Sequence, residues 1–203
     1  MTGAETRTRI MASVAALIEE QGVADLSVSE VMVRADVSRT AFYRHFPDVY
    51  AVVAAILGRV SQELQDRSGG WITASGIIGS PAVIESNLLG FARAYAEHGR
   101  LLAALSDATG VDDRVREIWR EGLVQAFIDA SAAAIARDQA AGAIRADLDP
   151  EATAYALTIM GERLSYDLLG RHRRGGPEDY TRILAPIWAA TLFGVVPADD
   201  DPG

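Results

Sequence analysis

The strongest constraint on this chain is a short segment near its N-terminus that encodes two helices joined by a tight turn. Ser27 and Glu30 have the spacing of a capping box, in which each side chain hydrogen-bonds the backbone of the other residue, and they predict a helix start after Ser27. Ser38 can cap a second helix, and Pro47 cannot continue it. Residues 35–37 are left for the turn. This arrangement is typical of a helix-turn-helix.

The second helix of this pair separates aromatic from polar side chains. Phe42 and Phe46 lie four residues apart, so they share one helix face and are expected to pack inward. The opposite side carries Arg39, Thr40, Tyr43 and Arg44, with His45 beside them. Arginine can pair with guanine edges, while hydroxyl and imidazole groups donate to phosphates. The pattern therefore predicts a helix that enters the major groove of DNA.

Residues 5–57 resemble the N-terminal part of the TetR family of transcriptional regulators in the order and spacing of these signals. The family has an apolar first helix, a capped second helix and a recognition helix that ends before a proline. Here the first helix is supplied by Ile10, Val14, Leu17 and Ile18. The resemblance implies base contacts from Arg39, Thr40, Ala41 and Arg44, and phosphate contacts from Ser38, Tyr43 and His45.

Three positions depart from the family pattern. Asp36 stands at the usual turn glycine, Met32 at a small alanine, and Val49 at a lysine that binds phosphate. Aspartate tolerates a left-handed backbone better than most residues, so the turn is still expected. With Val49, one phosphate contact fewer and a weaker salt dependence are expected. The departures leave a rival hypothesis open, a small-molecule-binding helical protein with a vestigial DNA-binding head.

Composition and charge exclude several other classes. The 203 residues include no cysteine, which excludes disulfides and thiolate metal sites. No apolar run is long enough to span a bilayer, and the start of the chain lacks an apolar signal region, so a cytoplasmic protein without a membrane partner is expected. The net charge of −9 is unlike that of a general nucleic-acid binder, so DNA binding must come from a local patch.

Helical periodicity runs through nearly the whole chain, and the predicted fold class is all-α. We expect a three-helix DNA-binding domain at residues 1–47, a connector helix at 48–66, and a helical ligand-binding and dimerisation domain at 67–203. Within the last domain, apolar residues at spacings of four predict one long helix over 112–141. Four glycines in residues 67–80 predict a loop.

Large side chains are spread over several helices of the C-terminal part. They can form an ordinary core, or they can line an apolar ligand cavity. In proteins that this chain resembles, such a cavity binds the inducer, and the best candidates here are Phe91, Tyr95, Trp119, Phe127 and Trp188. Trp71, in the glycine-rich loop, could form a lid or pack on the surface.

The last two long helices carry the residues expected at a dimer interface. By the resemblance, that interface is a four-helix arrangement that uses Ala156, Ile159, Leu164, Leu168, Ile183, Ile187, Ala190 and Thr191. A homodimer on a palindromic operator suits a helix-turn-helix, because one copy reads only a half-site. Residues 160–163 and 187–194 are also similar to actinobacterial regulators of the ethionamide-activation repressor type.

Two charged neighbours, Glu162 and Arg163, lie inside an otherwise apolar helix. A buried charge needs a partner, so the pair could bridge two subunits, anchor a polar group of an inducer, or simply face water. The three alternatives remain open at this stage.

No catalytic constellation is recognisable in the sequence. The three histidines, His45, His98 and His172, form no metal-ligand pair, and no nucleophile elbow or phosphate-binding loop occurs. We therefore expect neither an enzyme nor a bound metal or cofactor. The leading hypothesis is a repressor released from DNA by a small apolar or amphipathic ligand, with residues 48–66 carrying the motion to the DNA-binding head.

Overall fold

A computed structural model of the chain describes residues 2–69, 80–170 and 174–194. These residues form ten α-helices and one π-helical segment, with no strand among them, which confirms the all-α prediction. The helices are α1 (Gly3–Gln21), α2 (Val28–Ala35), α3 (Arg39–His45), α4 (Val49–Arg67), α5 (Pro81–Glu97), α6 (Gly99–Ala108), α7 (Asp113–Trp119), α8 (Ala126–Ala140), α9 (Pro150–Leu169) and α10 (Pro177–Phe193). Trp71, His172 and most of the loop predicted at 67–80 lie outside the described residues.

Local capping explains where the first and ninth helices begin. The Thr2 hydroxyl accepts from the Glu5 N–H at 3.3 Å, and the Glu5 carboxylate accepts from the Thr2 N–H at 2.8 Å, which completes a capping box. At α9, an Asp149 carboxylate oxygen accepts from the Ala152 N–H at 2.8 Å, and Pro150 occupies the first turn, where a missing N–H costs nothing. Each such cap stabilises its helix by about 1 kcal/mol.

The prediction of one long helix over residues 112–141 is wrong in one respect. A π-helical segment, Arg120–Gln125, separates α7 from α8. The residues at spacings of four that led to the prediction, Val115, Trp119, Leu123 and Phe127, are all buried. An α-helix has about 3.6 residues per turn, so spacings of four drift around its surface, and wider π turns bring them back towards one side.

The helices group into two compact units. The first unit consists of Met1–Gln62 and His98–Gln125. In it α1 packs against α2, α3 and α6. Its buried core includes Ile10, Val14, Ile18, Phe42, Val52, Ile56, Leu102 and Leu105.

The second unit consists of Glu63–Glu97 and Ala126–Gly203. In it α5 packs against α10 and α9, and α8 packs against α9. Gly90 of α5 lies so close to the end of α4 that an added β-carbon would be 2.1 Å from the Arg67 carbonyl oxygen. The close approach of these two helices therefore requires glycine at this position.

Within the described ranges, no helix is both long and apolar enough to cross a membrane.

Candidate DNA interface and ligand-binding cluster

Serine side chains fix the starts of both helices of the helix-turn-helix. The Ser27 hydroxyl accepts from the Glu30 N–H at 3.3 Å, and the Glu30 carboxylate accepts from the Ser27 N–H at 3.2 Å. The Ser38 hydroxyl accepts from the Ala41 N–H at 3.2 Å. The helix starts predicted from Ser27 and Ser38 are therefore confirmed, with α2 beginning at Val28 and α3 at Arg39.

The turn between these helices depends on a left-handed backbone at Asp36, with φ 49° and ψ 55°. Among the described residues it is the one non-glycine residue with a positive φ. Such a conformation costs a residue with a β-carbon about 1–2 kcal/mol, although aspartate adopts it more readily than most. The Arg9 guanidinium, on α1, donates to the carbonyl oxygens of Ala35 and, at 3.3 Å, of Asp36. A distant side chain thus holds the end of α2.

The inner face of α3 is aromatic and fully packed. Phe42 is 0% and Phe46 is 3% exposed, and their ring centroids are 6.4 Å apart. The Arg7 guanidinium lies 4.9 Å from the centroid of the Phe46 ring. Because both rings point inward, the rotation of α3 about its own axis is fixed.

The outer face of α3, which we call the recognition face, contains every residue predicted to contact DNA. The exposed members are Ser38, Arg39, Thr40, Tyr43 and Arg44, and the half-buried members are Ala41 and His45. The structure thus places all seven on or beside one helix. Whether each contacts a base or a phosphate stays a prediction.

The arginines of the recognition face differ from another arginine of the same head. Arg44 forms no hydrogen bond or ion pair with any residue that the structure describes, and the Arg39 guanidinium lies 5.3 Å from the Tyr43 ring centroid. Arg34, by contrast, makes two 2.6 Å hydrogen bonds to Glu20. Arg44 and Arg39 are thus available to phosphates and bases, whereas Arg34 is already neutralised.

Arg7 is a further candidate for contacting DNA that sequence reasoning did not identify. It is exposed on α1, yet its guanidinium reaches the Phe46 ring at the end of α3. No local sequence pattern joins these two residues, so only the packing of α1 on α3 could identify it.

Four polar side chains, which we call the polar clamp, join the start of α4 to the start of α7 within the first unit. Arg114 donates to the Asp48 carboxylate at 2.7 Å, and its guanidinium lies 3.9 Å from the Tyr50 ring centroid. The Tyr50 hydroxyl donates to the Asp112 carboxylate at 2.8 Å. Since α4 follows directly after the recognition helix, the clamp ties that helix's immediate neighbour to α7.

Both aspartates of the polar clamp also cap helices. Asp48 accepts from the Ala51 N–H at 2.9 Å, and Asp112 accepts from the N–H groups of Arg114 at 2.9 Å and Val115 at 3.1 Å. The hydrogen bond from Arg114 lowers the pKa of Asp48 below its ordinary value. Asp48 is therefore ionised at neutral pH.

In the second unit, three of the predicted ligand residues, Phe91, Tyr95 and Phe127, form part of an aromatic cluster centred on Phe91. Its ring centroid lies 5.9 Å from that of Tyr95, 5.4 Å from that of Phe127 and 5.8 Å from that of Tyr180. Tyr180 was not predicted. Its spacing of four from Leu184 and of eight from Trp188, both buried, is the signal that would have placed it inside.

The two tryptophans predicted at the ligand site fall in different units. Trp188 is buried on α10 of the second unit, whereas Trp119 is buried on α7 of the first. A shallow surface groove between α5 and α10 is lined mainly by small apolar residues, and none of the predicted ligand residues lines it. The ligand assignments stay predictions.

An apolar surface extends along α9 and α10. Tyr155, Ile159, Ile183 and Ile187 are exposed, with Tyr155 at 58%. None of the eight residues predicted at the dimer interface is buried. Large exposed apolar side chains grouped in this way mark an interaction surface.

Comparison with known proteins identifies the family. The profile described as the C-terminal domain of the transcriptional regulator EthR matches residues 84–194, more than half of the chain. The profile of bacterial regulatory proteins of the tetR family matches residues 10–56, which include the whole helix-turn-helix.

This chain belongs to the TetR family of transcriptional regulators.

Related regulators match over nearly the full length. The HTH-type transcriptional regulator EthR of Mycolicibacterium smegmatis is 26% identical over 198 residues, covering 97% of this chain and 90% of that protein. EthR of Mycobacterium tuberculosis is 25% identical over 209 residues, covering 95% of this chain and 89% of that protein. The resemblance to the TetR family seen in the sequence is thereby confirmed, including its ethionamide-activation repressor type.

Solved structures show the same fold. A crystal structure from Rhodococcus sp., described as a TetR-family regulator, superposes with a TM-score of 0.75 at 24% identity and covers 91% of this chain and 97% of that chain. Another such structure, from Syntrophomonas wolfei, has a TM-score of 0.82 at 12% identity, with 94% and 96% covered. At these identities the structures establish the fold alone.

Membership of this family identifies the chain as a DNA-binding transcriptional regulator and not an enzyme. TetR-family regulators bind DNA through the helix-turn-helix and small molecules through the C-terminal domain, usually as dimers. Among the described residues, no group of three or more histidine, aspartate or glutamate side chains could hold a metal ion.

The strained turn gives a first prediction. Asp36→Gly is expected to raise the free energy of unfolding by about 1 kcal/mol, because glycine adopts the left-handed backbone without the steric cost of a β-carbon. The exposed Arg9–Asp36 side-chain pair, at 3.4 Å, contributes little to offset this gain. Urea unfolding of the purified protein measures the change. Asp36→Ala is the control, and a variant with alanine as stable as that with glycine would show that the turn carries no strain.

Proposed function

We propose that this regulator is a repressor, acting in the cytoplasm, that binds a palindromic operator as a homodimer and is released by a small apolar or amphipathic ligand. The observation that supports this most directly is the recognition face, an exposed helix surface with two available arginines and no acidic residue. The chain's net charge of −9 makes such a local patch necessary for binding a polyanion.

In this proposal the recognition face divides its work between bases and phosphates. Arg39, Thr40, Ala41 and Arg44 contact base edges, and Ser38, Tyr43 and His45 contact phosphates. The caps and the left-handed turn are formed despite the departures at Asp36, Met32 and Val49, so the structure offers no support for a vestigial head. Arg7, beside the end of α3, adds a further phosphate contact.

The apolar surface of α9 and α10 is where two copies meet. Packing Tyr155, Ile159, Ile183 and Ile187 against the same residues of a second copy would remove their apolar area from water, and a two-fold axis lets one surface serve both copies. Such a dimer presents two recognition helices to half-sites about 34 Å apart.

The ligand acts on the C-terminal helices, and the polar clamp supports a route from them to the head. The clamp ties α7, which carries the candidate ligand residue Trp119, to the first turn of α4. Gly122 of the π-helical segment also faces Leu57 of α4, since an added β-carbon would lie 3.5 Å from the Leu57 side chain. A ligand that favours a displaced α7 would therefore displace α4 and, with it, the recognition helix.

The base-reading role of Arg44 is tested by Arg44→Ala. We expect its affinity for duplexes that the wild-type protein enriches from a random pool to fall by about 1–3 kcal/mol, or roughly 5- to 150-fold, because a bidentate base contact is lost. Fluorescence anisotropy at several salt concentrations measures the loss.

Arg34→Ala is the matched control, because it removes the same charge from the same head while Arg34 is occupied by Glu20. Equal losses in the two variants would mean that Arg44 acts only through general charge, and unchanged binding of Arg44→Ala would refute the assignment.

The dimer surface is tested by Ile187→Glu. A carboxylate on the two-fold interface is expected to weaken dimerisation by about 2 kcal/mol or more, because apolar burial is lost and a charge is desolvated. Sedimentation velocity across a dilution series measures this. Val111→Glu, at an exposed apolar residue on the first unit, is the control. A monomeric wild-type protein, or dimers unaffected by Ile187→Glu, would contradict the proposed surface.

The polar clamp is tested by Arg114→Gln. The change is expected to speed hydrogen exchange in the first turn of α4 and to weaken operator binding, while Arg116→Gln, which affects contacts to Asp113 and the Thr109 carbonyl only, changes neither. Equal exchange rates in Arg114→Gln and Arg116→Gln would show that the clamp does not position α4.

The polar clamp should also depend on pH. Because the pKa of Asp48 is lowered in the folded protein, the stability that the clamp contributes is present above the ordinary aspartate pKa. It is lost only as the pH falls through the lowered value.

A further inference from the structure

Tyr95 carries a polar group that the fold does not satisfy. The residue is 1% exposed, and its hydroxyl has no hydrogen-bond partner among the residues that the structure describes. Such an unpaired buried group costs about 1–3 kcal/mol, so its persistence needs an explanation. The neighbouring Tyr180, in the same aromatic cluster, is equally buried but shares a hydrogen bond with Ser165. The unpaired hydroxyl is thus particular to Tyr95.

Glu162 of α9 is a second partly buried polar group in the same unit. It is half-buried and makes no hydrogen bond or ion pair with any described residue. Its neighbour Arg163 turns away, donating to Asp167 at 2.9 Å and lying 4.8 Å from the Tyr166 ring centroid. Burial accordingly raises the pKa of Glu162 above its ordinary value. Arg163 therefore faces water, whereas Glu162 is partly removed from it.

The two groups belong to one neighbourhood. The helix that carries Tyr95, α5, packs against α9, which carries Glu162. The pKa of Tyr95 is raised first by burial and next by the negative charge of Glu162. The Phe91 ring lies beside both the Tyr95 ring and the Tyr180 ring, with centroid distances of 5.9 Å and 5.8 Å. A carboxylate, a phenol oxygen and aromatic rings thus lie on helices that pack together. The Arg163 charge acts on Glu162, but among the described residues no cation is hydrogen-bonded to Glu162 or to the Tyr95 hydroxyl.

We propose that Tyr95 and Glu162 bind the cationic head of an amphipathic effector, a protonated amine carried on an aromatic or aliphatic body. The inference rests on the proposed function, because it names the class of ligand that the C-terminal domain takes. The ammonium group donates to the Glu162 carboxylate and to the Tyr95 oxygen, and aromatic faces favour a cation. A neutral carbonyl compound satisfies Tyr95 alone, and an anionic ligand is repelled by Glu162.

Three probes with one shared body test this ligand class on the full-length protein: phenylbutylamine, phenylbutanol and phenylbutyrate. Calorimetric titration at neutral pH should show the amine binding at least about tenfold more tightly than the alcohol, with the carboxylate weakest. Equal affinity for the amine and the alcohol, or tighter binding of the carboxylate, would overturn the proposal.

Two near-isosteric variants assign the effect to the named atoms. Glu162→Gln should remove the preference for the amine and leave alcohol binding unchanged. Glu151→Gln removes an exposed carboxylate from the same helix and should retain the preference. If both glutamate variants lose it equally, the attraction is long-range and the site is not at Glu162.

Tyr95→Phe should weaken amine binding severalfold without lowering Tm, because the hydroxyl has no hydrogen-bond partner among the residues that the structure describes. Tyr180→Phe, which removes a hydrogen-bonded hydroxyl, should lower Tm. A matching fall in Tm for Tyr95→Phe would show that its hydroxyl has a structural partner, and the proposal would fail.

Operator binding measured in parallel separates this inference from the proposed function. Release of the operator by the alcohol as readily as by the amine would refute the cationic class and leave the ligand-released repressor intact. If the variants change amine binding as predicted but the amine has no effect on operator binding, the site is supported and the release mechanism is refuted.

Discussion

Burial of two phenylalanines decides which side of the recognition helix is exposed. Phe42 and Phe46 occupy the inner face of α3, and once they are buried, the other side of that short helix must point outward. The arginines, hydroxyls and imidazole of the recognition face are exposed as a consequence. A helix of two turns has little stability of its own, so its orientation is set by this packing against α1 and by the turn before it. Specificity for DNA therefore starts from an apolar contact that never touches DNA.

The arginines of the first unit are of two kinds: some are paired with carboxylates, and others are left available for DNA. Arg34 is occupied by Glu20, and Arg114 is occupied by Asp48 and the Tyr50 ring. Those pairs fasten one helix to another within the first unit. Arg44 has no such partner in the described part of the chain, and its charge is left for a ligand. The overall negative charge makes this selective pairing consequential, because an arginine already matched to a carboxylate adds little attraction for phosphate.

The buried polar groups of the second unit also differ in whether they have a hydrogen-bond partner. The Tyr180 hydroxyl is satisfied by Ser165, and Gly161 leaves room beside it, since a β-carbon there would lie 3.1 Å from that oxygen. The Tyr95 hydroxyl has no such partner in the described part of the chain, although its ring belongs to the same aromatic cluster. Glu162, on the neighbouring α9, forms no hydrogen bond or ion pair with a described residue. Satisfied groups specify a core, and unsatisfied ones store free energy that a complementary ligand can release. The aromatic cluster thus combines packed rings with a buried hydroxyl, that of Tyr95, which a ligand could hydrogen-bond.

The sequence by itself determined the helical class, the ends of the helices in the head and the two faces of α3. Capping boxes, serine caps, proline stops and four-residue spacings act over a few residues, so they can be read directly from the order of the chain. It failed at the π-helical segment, where a packing demand overrode regular helical spacing. It also could not show that Arg9 holds the turn at Asp36, or that Arg114 reaches α4. Nor could it show that Tyr180 joins Phe91, or that the Tyr95 hydroxyl has no hydrogen-bond partner among the described residues. Those features were decided by the tertiary structure alone, because each depends on side chains that are far apart in the chain and meet only when the helices pack.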